Sequence, residues 1–398
     1  MQTRIHNDMR PEIAEAEEII RNCVHCGFCN ATCPTYRLFG SELEGPRGRI
    51  YLVKSLLEGN EEGEKTKGHL ERCLTCRSCE STCPSGVKYS RLVHIGRGML
   101  EKTFAERLKN RLLLAVLPHP QRLSKLAALV SPLKPLLPSG AKYVLSGKQK
   151  SRPAARHSRR MLLLEGCVQS VSSPSTNSSA SRVLDVLGIS AFPASGCCGA
   201  MHYHMGEEEE AKAMMRRNID QWWPRLMAGE EAIVSSASGC GLMVKEYGEV
   251  LRSDPLYAAK AKKISELAKD IGEVLGGEDL GAFVECGQER KVAFHCPCTL
   301  QHGQKLGGLV EGILSSCGFR LARVENPHLC CGAAGTYSLT QREISERLAA
   351  NRVQSLEADS PEIIVTSNIG CQIQIAGHSK MQVAHWIELL DQPKKGKP

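Results

Sequence analysis

"CVHCGFCNATCP" (Cys23–Pro34) places four cysteines within eleven residues, and "CLTCRSCESTCP" (Cys73–Pro84) repeats that spacing fifty residues later. Both read C-x2-C-x2-C-x3-C-P. At this spacing three thiolates of one tight loop take three corners of an iron–sulfur cubane, and the fourth cysteine crosses to the other cluster. The proline after the crossing cysteine, Pro34 or Pro84, turns the chain away. The crossing rule gives Cys23, Cys26, Cys29 and Cys83 to one [4Fe-4S] cluster and Cys33, Cys73, Cys76 and Cys79 to the second. A zinc site would instead set two C-x2-C pairs far apart around one ion. A cubane held by four thiolates has no open position for a substrate, so the expected task is one-electron transfer.

The stretch between the quartets, "GPRGRIYLVKSLLEGN", reads as a helix with Pro46 near its start and Gly59 at its end. Arg47 and Arg49 stand in its first turn, where the helix dipole does not favour cations. They read either as counter-charges to a cluster or as solvated arginines.

The chain has 398 residues, enough for two or three domains, and 19 cysteines, far more than an ordinary soluble protein carries. Its first 22 residues mix both charge signs without an apolar run, and no run reaches spanning length. A cytoplasmic chain with reduced thiols, peripherally associated with the cytoplasmic membrane, is expected. Charge is uneven: residues 101–160 hold 14 Lys/Arg against 2 Asp/Glu, a net +12 in a chain of net +8. Prolines at 118, 120, 132, 135 and 138 cut this block into short leucine-faced helices. Leucine faces flanked by cations suit a membrane surface or an acidic subunit. Nucleic acid is not expected, because no recognition motif or aromatic platform accompanies the charge.

The remainder repeats itself. The first copy runs "RMLLLEGC" to Cys167, a helix, "GCCGA" at Cys197 and Cys198, another helix, and "EEAIVSSASGCG" with Cys240. The second runs "KVAFHCPC" with Cys296 and Cys298, a helix, "LCCGAAG" at Cys330 and Cys331, and "PEIIVTSNIGC" at Cys371. "KKISELAKDIGEVL" and "MQVAHWIELLDQ" read as closing helices. Strands alternating with helices imply parallel sheets, with ligands at the carboxyl ends of strands. A pseudo-twofold pair of lobes would bring the nine cysteines toward one cleft as a further metal or redox site. Cys286 and Cys317 have no counterpart and read as buried small side chains. His25, His202, His204, His295 and His302 lie near cysteines, but none stands in an arrangement that nominates a catalytic base.

These motifs, with "CPCTLQH" and "NIDQWWP" between them, resemble the family of iron–sulfur subunits of bacterial glycolate oxidase. That family sits in a wider group with heterodisulfide reductase, anaerobic glycerol-3-phosphate dehydrogenase and lactate-utilisation proteins. The resemblance implies an oxidoreductase complex in which FAD-bearing flavoprotein subunits oxidise glycolate to glyoxylate. This chain would then carry electrons toward a quinone. The alternative is a heterodisulfide-reductase-like or lactate or glycerol-3-phosphate dehydrogenase-type subunit whose Cys-Cys-Gly site is itself redox-catalytic. Heterodisulfide-reductase relatives add a fifth cysteine at each repeat's end; here Cys240 is followed by "GLMV" and Cys371 by "QIQI". A third iron–sulfur centre, assembled mainly from the second repeat, is the expectation. No dinucleotide fingerprint is present, in keeping with FAD on partner subunits only.

The expected architecture is multidomain α+β. A helical two-cluster ferredoxin-type domain (1–100) precedes a basic connector (101–160) and two pseudo-symmetric α/β lobes (161–280 and 281–398).

Overall fold

A computed structural model of the chain describes residues 1, 3, 10–59, 63–136, 139–145 and 151–391. Pro138, residues 146–150 of the basic block and the final Gln392 of the second closing segment lie outside the described residues.

The N-terminal domain is helical. Helix α1 (Pro11–Arg21) starts on a proline with Glu12 in its first turn and Arg21 in its last, matching the helix dipole. Helix α2 (Pro46–Leu57) spans the stretch read as a helix between the quartets. Helix α3 (Tyr89–Gly98) packs across both. Ile13, Ile20, Val53, Leu70, Leu92 and Val93 form their common core. At Gly96 a Cβ would lie 2.7 Å from Val53 Cγ2, so only glycine lets α3 approach α2 so closely.

The connector holds α4 (Phe104–Val116), opened by a Thr103/Glu106 capping box, and α5 (Pro120–Val130), opened by proline. Only Leu114 and Leu123 of these helices are buried. Phe104, Leu108 and Leu112 on α4, and Leu126, Leu129, Leu133 and Leu136 beyond, are exposed. The following helical turns, Ser139–Val144, dock on the second lobe, where Tyr143 and Gln372 share a hydrogen bond.

Each lobe is a four-stranded parallel sheet. In the first lobe come β1 (Arg159–Leu164), α6 (Pro174–Val186), β2 (Ile189–Ala194), α7 (Glu208–Met227), β3 (Ile233–Ser235), α8 (Ser238–Lys245), β4 (Ala268–Asp270) and α9 (Ile271–Leu275). The second lobe follows with β5 (Lys291–His295), α10 (Leu309–Ser316), β6 (Arg320–Leu321), α11 (Arg342–Glu357), β7 (Ile363–Thr366), α12 (Ile369–His378), β8 (Val383–His385) and α13 (Ile387–Leu390). Strand orders are β2-β1-β3-β4 and β6-β5-β7-β8, the same path through both sheets. The two closing segments are therefore not plain helices. Each contributes an edge strand, β4 or β8, before a short helix, because Ala268–Asp270 and Val383–His385 continue the parallel ladder.

The lobes share one apolar core. Leu163, Val234 and Ile271 of the first lobe and Phe294, Val365 and Trp386 of the second belong to it. The closing helices are exchanged: α6 packs against α13, and α9 against α10. Ser179 and Arg182 of α6 both bond the Asp391 carboxylate, and Ser238 N donates to Ser367 O at 2.9 Å. The helical domain touches both lobes. His94 stacks on Tyr203 at 4.2 Å between centroids, and Tyr337 Oη donates to Arg72 O at 2.9 Å.

Trp386 is fully buried in the shared core. Trp386→Ala should cost about 3–5 kcal/mol and lower the denaturation midpoint followed by far-UV circular dichroism. An unchanged midpoint would mean that the lobes are not held by this core.

Candidate metal centres

The two quartet loops have matching backbones. His25 and Gly27 in the first, and Thr75 and Arg77 in the second, adopt positive φ at the same two places between cysteines. These left-handed residues coil each loop so that its three thiols face one point. Arg77 lacks glycine's freedom, and a 2.5 Å salt bridge to Glu246 of the first lobe holds it there.

Cys23, Cys26, Cys29 and Cys83 line one cavity of about 440 Å³, and Cys33, Cys73, Cys76 and Cys79 line a second of about 290 Å³. Pro46, Cys79 and Tyr89 border both, so the cavities share a wall. The fourth cysteine of each motif thus lies in the other loop's cavity. The first cavity opens to the surface, with Cys26, Val24 and Phe28 exposed around it. The second is lined mostly by buried side chains, Cys33, Thr35, Arg49, Cys73 and Cys79 among them.

Burial sets the thiol chemistry. It raises the Cys29 thiol to about 11, helped by the charge of Cys23. Cys76 and Cys79 are likewise pushed well above the ordinary value, first by burial and then by neighbouring thiols. Thiols so placed give up their protons when a cation in the cavity stabilises the thiolates. An all-sulfur donor set of four around each cavity fits a cubane.

Arg49 is no solvated arginine. It is 1 % exposed, and its guanidinium spans Glu44 Oε2 (2.8 Å), Thr35 Oγ1 (3.0 Å) and His69 O (2.7 Å). Thr35 Oγ1 in turn lies 3.3 Å from Cys33 Sγ. Burial would lower the Arg49 pKa, but the ionisable groups around it, Tyr89, Cys73, Cys33 and Glu44, raise it. Arg47 instead pairs with Glu42 at the surface. Glu44, the anchor of this network, gave no signal in the sequence beyond its place two residues before the helix.

The repeat cysteines do not converge on one cleft. They form two separate sulfur chains, one per lobe, because each parallel sheet delivers its own strand ends. Cys167 neighbours Cys197, Cys197 neighbours Cys198, and Cys198 neighbours Cys240. The second lobe repeats the order: Cys298 and Cys330 lie 4.0 Å apart, Cys330 neighbours Cys331, and Cys331 neighbours Cys371. Gly199 and Gly332 follow the pairs at positive φ. A Cβ on Gly332 would lie 2.7 Å from Ser345 O, so the tight turn needs glycine.

Strand register makes the equivalence residue by residue. Leu164 pairs with Ser235, and His295 with Thr366, and each partner stands five residues before its helix cysteine. Leu164 therefore corresponds to His295, Cys167 to Cys298 and Glu165 to Cys296. Cys296 is the unmatched one and belongs to the apolar core shared by the lobes. Cys317 is fully buried there too, with Cys286 packed against it.

The two sulfur chains differ in their neighbours. Cys330 packs in one apolar cluster with Leu74 and Tyr337, and Cys76 and Cys298 pack against it. The second chain therefore adjoins the second cavity. The first borders the connector, with Met201 and Met214 against it and His119, at the start of α5, within electrostatic range of Cys197. His295 is fully buried, and a ring nitrogen lies within 4.8 Å of the Cys331 and Cys371 sulfurs. Burial and then the Arg352 charge hold its pKa well below the ordinary value. His25 stays in the first loop, His302 bonds Ser81 (3.0 Å) and His328 O, and His202 lies near Cys197. His204 is exposed, its ring edge-on to Tyr203.

A helical domain with two four-thiol cavities, joined to two cysteine-rich parallel-sheet lobes, defines an iron–sulfur electron-transfer protein. Residues 19–87 match the 4Fe-4S dicluster domain model, and residues 161–245 and 292–376 each match the Cysteine-rich domain (CCG) model. The chain is 51 % identical to the glycolate oxidase iron-sulfur subunit of Escherichia coli (strain K12), over 98 % of this chain and 99 % of that protein. It is 28 % identical to the probable glycolate oxidase iron-sulfur subunit of Bacillus subtilis (strain 168), over 97 % of this chain and 96 % of that protein. Lactate utilization protein A of the same organism is 31 % identical over 49 % of this chain and 82 % of that protein. The chain belongs to the family of glycolate oxidase iron–sulfur subunits. It carries two [4Fe-4S] clusters and works as one subunit of a multi-subunit oxidoreductase. Among the described residues no helix is long and apolar enough to cross a membrane.

Glu44 is buried between Arg49, Arg72 and His69. Burial would raise its pKa, but hydrogen bonds from Arg72 and His69 and the Arg49 charge outweigh it and hold the carboxyl below 4.5. A folded pKa below the unfolded one contributes stability that is complete above pH 4.5 and lost as pH falls through the folded value. Glu44→Ala strands the buried Arg49 and should cost about 3–5 kcal/mol near neutral pH. The gap between wild-type and variant denaturation midpoints should close on acidification. A gap that is constant with pH would show that the carboxylate charge is not what the network uses.

Proposed function

We propose that this chain passes electrons from FAD-containing partner subunits, which oxidise glycolate to glyoxylate, to a quinone-type acceptor. The observation that carries this reading is the full-length identity to the E. coli subunit, together with four-thiol sets that adjoin one another in series. Cys23, Cys26, Cys29 and Cys83 would hold one cluster, and Cys33, Cys73, Cys76 and Cys79 the other. Cys298, Cys330, Cys331 and Cys371 would hold a third iron–sulfur centre. When bound, these groups supply one-electron transfer, which splits the electron pair delivered by a flavin.

The protein's own residues give this direction. Exposed Val24 and Phe28 frame the open cavity with an apolar rim on which a flavoprotein partner can seat. Arg49 and Thr35 form part of the wall of the second cavity, and Glu44 holds Arg49 in place. Cys330, Cys331 and Cys371 are each at most 3 % exposed, so no disulfide or quinone reaches their sulfurs directly. That burial favours a relay over a redox-catalytic Cys-Cys-Gly site.

The connector is proposed as a peripheral contact with the cytoplasmic membrane. No carboxylate occurs between Glu106 and Glu165. Phe104, Leu108 and Leu112 recur at four-residue spacing on one helix, exposed, with Arg107, Lys109 and Arg111 between them. Apolar side chains flanked by cations fit an anionic lipid surface.

Protein purified without oxygen should contain about twelve irons and as many acid-labile sulfides per chain if the third centre is present, against about eight for two cubanes alone. Cys76→Ser should leave glycolate able to reduce the partner's FAD while abolishing quinone reduction by the complex. Full quinone-linked turnover in that variant would sink the relay. Replacing Leu108, Leu112 and Leu129 by Glu should weaken flotation with anionic vesicles at least tenfold, and added salt should weaken the wild-type binding. Equal flotation of the triple variant would leave the segment as a connector only.

A further inference from the structure

The two Cys-Cys-Gly sets share a backbone plan but not an electrostatic setting. Their helices can be aligned through the glycine that ends each pair. A Cβ on Gly199 would lie 3.3 Å from Ala211 O, and one on Gly332 would lie 2.7 Å from Ser345 O. Seven residues further along these helices stand Asn218 and Arg352. Asn218 is neutral and donates to Cys197 O at 2.8 Å and to Tyr247 Oη. Arg352 occupies the equivalent place beside Cys330 and Cys331. Strand register has already matched Leu164 with His295. Both exchanges from neutral or apolar to basic thus fall in the second repeat, and the two residues touch: Arg352 Nε donates to His295 Nδ1 at 3.2 Å.

Arg352 is buried, 3 % exposed, and no carboxylate pairs with it among the described residues. Its Nη1 donates to Glu325 O and Asn326 O, while its Nη2 is buried with no partner. A buried guanidinium without a counter-charge is strongly unfavourable. The negative groups in range are the sulfurs of Cys331, Cys330, Cys296 and Cys371. With Nδ1 accepting from Arg352, the neutral His295 ring carries its proton on Nε2, which is also buried without a partner. The ring therefore offers a donor, not a lone pair, to the sulfur set.

We propose that Arg352 and His295 are positioning residues that raise the reduction potential of the second-repeat centre, making it the electron acceptor for the cluster at Cys76. The inference rests on the third centre proposed above. Adding an electron adds one negative charge to the sulfur-bound group, which a fixed guanidinium and an N–H donor stabilise more than they stabilise the oxidised form. The first repeat has no such pair, since Leu164 and Asn218 stand in those places, and its sulfur set borders the connector instead. The path from the cavity at Cys76 therefore leads into the second lobe.

The test is a potentiometric EPR titration of the full-length chain, with iron and sulfide counted on each sample. The variants are Arg352→Gln, Arg352→Lys and His295→Leu, the last copying the residue of the first repeat. At the wild-type midpoint of the third signal, Arg352→Gln and His295→Leu should each cut the reduced fraction relative to oxidised about tenfold, a one-electron shift of about 59 mV downward. Arg352→Lys should recover most of that shift, and the two cubane signals should stay in place. A third signal unmoved in both Arg352→Gln and His295→Leu, with iron above eight per chain, overturns this inference alone. So does an Arg352→Lys variant displaced as far as Arg352→Gln. If Arg352→Gln expels the centre's iron, His295→Leu decides by itself. Wild-type iron that stays at eight overturns the third centre, and this inference with it.

Discussion

A thiolate buried away from water is tolerable only with positive charge beside it, and this constraint organises the whole molecule. The cavities, the left-handed loop residues and the two sulfur chains bring sixteen cysteines into sets of four. Most of these thiols are buried, and the protein supplies few cations to them. Arg49 is bound to Glu44 and Arg77 to Glu246. The missing positive charge is that of iron. Folding of the helical domain and filling of its cavities are therefore coupled, as in other small metal-held domains.

The lobes show how one backbone plan yields two environments. Identical strand order places Cys167 and Cys298, the adjacent pairs, and Cys240 and Cys371 at the same points of the two sheets. What differs is the surroundings. The second set faces the second thiol cavity through Leu74, Tyr337 and Cys76, whereas the first faces α5 and two methionines. Exchange of the closing helices locks the lobes into a single unit with one shared core. The spacing between sulfur sets is thus held by apolar packing and does not depend on a flexible linker.

Much of this was legible because cysteine spacing carries geometry directly. The cysteines that the C-x2-C-x2-C-x3-C-P repeats space so closely line two adjoining cavities, and Pro46 opens α2. The duplicated Cys-Cys-Gly pattern identified two parallel-sheet lobes. The closing segments misled because "MQVAHWIELL" carries an apolar spacing compatible with a helix, and only pairing with β7 makes Val383–His385 a strand. Cys296 was grouped with Cys298 on nearness in sequence, while the register sets it opposite Glu165 and turns it into the core.

By itself the amino-acid sequence determined the chemistry: which thiols form sets, that the lobes are duplicated, and that the connector is basic and leucine-faced. Ligand spacing within a loop and apolar periodicity are local properties, so they can be read along the chain. Only the tertiary structure decided that the nine repeat cysteines form two chains of four with one left over, and that one chain adjoins Cys76. It alone buried Arg49 against Glu44, 5 residues away, and brought Arg352 to His295 across 57 residues of chain. Such contacts depend on which helix face meets which strand end, and that is settled by packing between elements distant in the chain.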